Sequence, residues 1–162
     1  MQSILRNAIL GLVLATFAAS ATSVSAESKG PVGIGTWKLN VEKSKFSPGP
    51  APKSNTAKFE PAGQGVRLTT EGVGADGKPT ATEYTANYDG KDNPLKGSPI
   101  ADTVSVRRID AVTTERTDKK AGKVVQTITR VVAKDGKSFT ATTKGTNAKG
   151  EPLNNVTVFD KQ

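Results

Sequence analysis

The chain has 162 residues, a formal net charge of +8, and neither cysteine nor histidine. The missing residue types exclude a disulfide framework, a lipid anchor on cysteine, the usual transition-metal ligands, and the Ser-His and Cys-His pairs of hydrolases. Its basic residues are scattered through turns and outward strand positions, with no run that interleaves them with aromatics, which argues against a nucleic-acid partner.

The N-terminus reads as an address. Arg6 precedes an apolar run from Ala8 to about Ala21, and Val24-Ser25-Ala26 supplies the small residues of a cleavage point. The run is shorter than the ~20 residues of a membrane-spanning helix. Residues 1–26 are therefore expected to be a secretory signal peptide, and the product is expected in the periplasm or outside the cell, with no transmembrane segment. Cleavage after Ala26 would leave 136 residues with a net charge of +7, the length of one domain with one core. A flexible leader is expected over 27–34 and a single domain over 35–162.

The elements are read from alternation and turn chemistry. Gly35 to Val41 predicts a first strand with Trp37, Leu39 and Val41 on one face, and the prolines between Phe46 and Pro52 predict a loop. Asn55 to Glu60, with Ala57 and Phe59 inward, and Val66 to Glu71, with Val66, Leu68 and Thr70 inward, flank a turn at Ala62-Gly63-Gln64-Gly65. Thr80 to Tyr88 aligns Thr82, Tyr84, Ala86 and Tyr88; Asp92 to Pro99 is expected to be a loop. Ala101 to Arg108 and Ala111 to Thr117 follow as strands, the first with Val104 and Val106 on one face. Lys123 to Ala133 is the longest candidate, with Val124, Gln126, Ile128, Arg130 and Val132 on one face and Val125, Thr127, Thr129 and Val131 on the other. Ser138 to Lys144, aligning Phe139, Ala141 and Thr143, and Asn154 to Asp160 complete the series.

Asp-Gly-Lys occurs at Asp76-Gly77-Lys78, Asp89-Gly90-Lys91 and Asp135-Gly136-Lys137, and each copy reads as a hairpin turn whose two central residues take positive φ. About nine strands with turn signals every 8 to 12 residues and no convincing helix predict an all-β, antiparallel up-and-down meander. Closure into a barrel would remove the exposed edges of such a polar sheet.

Gly35-Thr36-Trp37 resembles the Gly-x-Trp opening of the calycin barrels, the superfamily of lipocalins and fatty-acid-binding proteins, and Gly35-Thr36-Trp37-Lys38-Leu39 is similar to the start of the latter. Val156-Thr157-Val158-Phe159-Asp160-Lys161 is similar to their closing strand, which usually reads Arg-x-Tyr-Glu-Lys. The resemblance to the calycin superfamily covers the mature domain in strand pattern and these two short segments in residues, and the chain also resembles small secreted lipocalin-like bacterial proteins. The resemblance implies a lipocalin-like barrel with room for a small ligand. It also carries departures. The Arg and Tyr that bind a ligand carboxylate in fatty-acid-binding proteins are Thr157 and Phe159 here, and a Pro-rich loop from Glu42 to Ser54 stands in place of the helical lid.

The acids fall mainly in turns, at Asp76, Asp89, Asp92, Asp118 and Asp135, where carboxylates satisfy backbone amides, and nothing pairs them for acid–base work. No catalytic residue, cofactor or metal is expected. The candidates for function are instead cavity residues: Trp37, Phe59, Tyr84, Tyr88 and Phe139 to line or plug the interior, with Gln126 and Arg130 to orient a polar head. An inward Arg130 would be a buried charge in need of a carboxylate or an anionic ligand, whereas the opposite register would leave it in solvent. The expected function is non-catalytic binding of a small apolar or amphipathic molecule by a monomer. The alternative is a filled barrel whose basic surface meets an anionic envelope component or a partner protein.

Overall fold

The computed structural model describes residues 31–162; the signal-peptide expectation for 1–26 and the first part of the leader lie outside the described residues. The strands are β1 (Gly35–Lys45), β2 (Ser54–Ala62), β3 (Gly65–Val73), β4 (Pro79–Ala86), β5 (Asn93–Pro94), β6 (Thr103–Arg108), β7 (Thr113–Lys120), β8 (Lys123–Val132), β9 (Ser138–Thr146) and β10 (Pro152–Lys161). They form one ten-stranded antiparallel sheet in the order β4-β3-β2-β1-β10-β9-β8-β7-β6-β5. Consecutive strands pair with one another except β4 and β5, which are the two ends of the sheet, and β1 pairs with β10, Trp37 opposite Lys161 and Leu39 opposite Phe159. Glu83 and Lys96 exchange both backbone hydrogen bonds, at 3.1 and 2.9 Å, so the segment after β5 curls back to β4. The sheet is thereby a nearly closed barrel. No helix among the described residues is long and apolar enough to cross a membrane.

The strand count corrects the expectation of about nine. β5 is two residues long, contains Pro94, and sits inside the stretch expected to be a loop. Proline removes a ladder donor, so no alternation could betray so short a strand.

The three Asp-Gly-Lys turns share one geometry: the Lys N–H donates to the Asp Oδ1 at 3.0 Å in each, and the glycine takes positive φ. Only the glycine does so, because the carboxylate itself closes the turn, and the expectation of two left-handed residues fails there. That pair occurs instead at Ala121-Gly122, with φ of 48° and 76°, between β7 and β8. The copy at Asp89 joins no tight hairpin; it lies on the longer path from β4 to β5 and bridges to Arg107.

Side chains alternate as the pleat requires. Trp37, Leu39, Ala57, Phe59, Val66, Leu68, Tyr84, Ala86, Val104, Val106, Val132, Phe139, Ala141 and Phe159 are buried inside the barrel. Phe139 stacks on Phe159 with centroids 4.7 Å apart and meets Trp37 and Phe59 edge to face at 5.0 and 5.9 Å. Two shared-face assignments are corrected. Val41 is exposed because β1 loses its regular register on β10 between Asn40 and Lys45, where the Ser44 hydroxyl fills the gap by donating to the Asn40 carbonyl and accepting from the Val158 N–H. Val124 is 60% exposed because a register shift between Asp118 and Lys119 sets Val125 aside as an extra residue and turns the rest of β8 over.

Candidate functional site

The barrel encloses a cavity of about 340 Å³. Its walls follow from the inward residues of each strand. Along β2 they run Phe59, Ala57, Asn55, and along β4 Tyr84, Thr82, Thr80, passing from buried to half-buried or exposed. Bulky rings therefore fill one end, while small hydroxyl and amide side chains border the opening at the other. Phe139, Ala141 and Thr143 repeat the gradient along β9.

The closed end is sealed by residues just ahead of β1. Val32 is buried; its N–H donates to the Tyr88 hydroxyl at 3.2 Å and its carbonyl accepts from Arg130 Nη2 at 2.8 Å. The Trp37 indole donates to the Gly33 carbonyl at 3.0 Å, which satisfies the only polar atom of a side chain that is otherwise fully enclosed. Gly33 has φ of 68°, and a Cβ there would come within 2.9 Å of Val132 Cγ2 and 3.2 Å of Arg130 Nη1. Only glycine lets the chain bend this closely over the arginine.

Of the two registers open for Arg130, the structure has the inward one. The residue is 7% exposed and lines the cavity. Its guanidinium lies 4.0 Å over the Phe59 ring and 5.6 Å from that of Phe139, with Nε on the Thr114 hydroxyl at 3.3 Å. Those partners are all neutral. Nη1 has no hydrogen-bond partner, and no carboxylate pairs with Arg130 among the described residues. Burial pulls the pKa of this guanidinium below its ordinary value, with Tyr84 and Tyr88 acting against the shift. It remains a cation at neutral pH, since arginine starts far above that range.

A second arginine, Arg116, enters from β7 and lies 4.8 Å over the Tyr84 ring. Unlike Arg130 it is paired. Its Nε and Nη2 donate to the two oxygens of Asp118 at 2.6 and 2.8 Å, and Gln126 Nε2 donates to Asp118 Oδ2 at 2.6 Å. Asp118 is 0% exposed, and this two-pronged grip with a third donor is the arrangement that makes a buried carboxylate tolerable. Burial opposes the charge of Arg116, but contact with Tyr84 and Asp118 holds its pKa above the ordinary value. Arg116 and Arg130 are the two charged residues that line the cavity, so its wall is cationic.

Among the residues expected to form the site, Phe59, Tyr84, Tyr88, Arg130 and Phe139 line this cavity together. Trp37 and Gln126 do not. Trp37 packs behind Phe139 as part of the floor, and Gln126 spends its amide on Asp118. Arg116 and Asp118 escape the sequence pattern because β7 is polar throughout and alternation alone places Asp118 among the turn acids. The available signal was their spacing: residues two apart on a strand share a face, and Arg-x-Asp at that spacing can close a bidentate pair. No group of acidic residues that could hold a metal ion occurs among the described residues.

Neither a protein-family model nor a curated protein matches the chain.

Proposed function

We propose that the protein is a non-catalytic binding protein that holds a small amphipathic molecule in its barrel, with an anionic head toward Arg130 and an apolar body among Phe59, Leu68, Ile128 and Phe139. The observation that carries this reading is the cationic side chain inside the cavity that no carboxylate neutralises among the described residues. A buried charge without a counter-charge is expensive, and an anionic ligand is one means of relieving it. The volume supports the reading as well, since about 340 Å³ lies at the lower end of small-molecule sites.

The meander with paired terminal strands, and the tryptophan near the start of β1, support a calycin-type barrel of the lipocalin-like kind. In this reading the head group is met from β7 and β8 by Arg116 and Arg130, and not from the closing strand, where Thr157 and Phe159 face the cavity. Export to the periplasm or beyond would make the protein a carrier or scavenger outside the cytoplasm.

The test is a fluorescence titration with 8-anilinonaphthalene-1-sulfonate, an anionic apolar probe, followed by displacement with decanoate. Saturable, one-to-one enhancement that decanoate reverses is expected, with little dependence on salt, because a buried contact is weakly screened. Absence of saturable binding of either compound, together with native mass spectra that show only the bare chain, would remove the reading.

A further inference from the structure

Two buried side-chain polar atoms have no hydrogen-bond partner among the described residues: Arg130 Nη1 and Asn55 Oδ1. Both residues line the same cavity. They stand on opposite walls, since β2 and β8 are four strands apart in a ten-stranded ring. Three hydroxyls of the same lining are already engaged: those of Thr70 and Thr82 share a 2.6 Å hydrogen bond, and that of Thr157 donates to the Ala141 carbonyl at 3.2 Å. The inward position opposite Asn55 on β3 is Gly72, which leaves no side chain there to answer the amide. Buried polar atoms are satisfied in the great majority of native structures, so an orphan donor and an orphan acceptor in one cavity ask for an explanation.

We infer that the ligand is polar at both ends: an anion at the Arg130 end and a hydroxyl at the Asn55 end, joined by a short apolar body. This rests on the proposed binding function and narrows its ligand class, from amphipathic molecules in general to two-headed ones. A simple alkyl acid would satisfy Arg130 but bring a methyl group to Asn55, leaving the amide oxygen buried and unpaired. A hydroxylated acid of the same length answers both. Sites built to bind a hydroxyl discriminate against the analogue without it, because the loss leaves the protein's own polar group without a partner.

The experiment compares decanoate with 10-hydroxydecanoate by isothermal titration calorimetry, on the unaltered protein and on Asn55→Leu and Thr85→Val. The unaltered protein is expected to bind 10-hydroxydecanoate at least roughly threefold more tightly, the factor one net hydrogen bond supplies. Asn55→Leu is expected to reverse the order, because the hydroxyl then loses its water with nothing in return. Thr85→Val, which removes a hydroxyl from the exposed outward face of β4, should keep the preference and so separates the amide's role from a general effect of removing a polar group. Decanoate binding as tightly as its hydroxylated partner, or a preference that survives Asn55→Leu, would overturn the inference while leaving the binding function in place. If neither acid binds, the binding function falls and the inference with it. Should Asn55→Leu fail to fold, Asn55→Ala carries the same expectation and the same contrary outcome.

Discussion

Arg130 Nη2 donates to the backbone carbonyl of Val32 at 2.8 Å, which ties the third strand from the C-terminus to the residues that precede the first. The first of the described residues thus meet the C-terminal strands twice, once through the β1–β10 pairing and once through this buried cation. A neutral carbonyl is a weak partner for a guanidinium. The contact holds the closed end in place without neutralising the charge behind it, and that combination separates Arg130 from Arg116.

Arg130→Leu should weaken decanoate binding by more than about tenfold while leaving the fold intact. Stability is expected to change by less than about 1.5 kcal/mol, since losing two hydrogen bonds to neutral partners is offset by removing an unpaired buried charge. Urea denaturation alongside the binding titration checks both halves. A loss of about 3 kcal/mol or more would make the arginine a structural element instead.

Asp118→Asn should behave in the opposite manner. It leaves Arg116 buried without its counter-charge and is expected to destabilise the protein by about 3 to 5 kcal/mol. The same urea series measures it. A change below about 1 kcal/mol would show that solvent or Tyr84 can replace the carboxylate.

Gly33→Ala places a Cβ at φ of 68°, within 2.9 Å of Val132 Cγ2. A left-handed non-glycine residue costs about 1 to 2 kcal/mol before the contact is counted. The expected result is a lower urea midpoint and faster hydrogen exchange at the Val32 amide, whose bond to the Tyr88 hydroxyl depends on the bend. An unchanged midpoint would mean that this segment does not hold the barrel closed.

Alkaline pH offers a check on the interior. Burial raises the Tyr84 phenol above its ordinary pKa, while Arg116 and Arg130 pull the other way. The folded state therefore keeps the phenolic proton where the unfolded chain releases it. Stability from this group is fully present below about pH 10 and declines as pH rises beyond. Tyr84→Phe should flatten the decline between about pH 10 and 12 relative to the unaltered protein. Identical slopes for the two proteins would contradict the assignment.

The fold was legible because turn chemistry and alternation agree over most of its length. Phe59, Leu68, Tyr84 and Phe139 each sit at the inward phase of a strand bounded by glycine turns, so pattern and pleat point the same way. β8 resisted because apolar residues occupy both of its faces, with Val131 exposed and Val132 buried. Its register depends on pairing with Thr114 and Ala141 on the neighbouring strands, a long-range fact that no local window contains. The irregularity at Val125 then inverts Val124 relative to Gln126, which no alternation rule anticipates. For the cavity, small inward residues announced space, but neither its volume nor the orphan amide of Asn55 follows from spacing, since both depend on how the whole sheet curls.

The most direct test of the central claim is the side-chain Nε–H resonance of Arg130, followed by nuclear magnetic resonance as decanoate is added. A saturable shift at Arg130, matched by Tyr84 and absent at the surface residue Arg67, is the predicted result. Shifts confined to surface lysines, with the Arg130 resonance unmoved at saturating decanoate, would contradict the account.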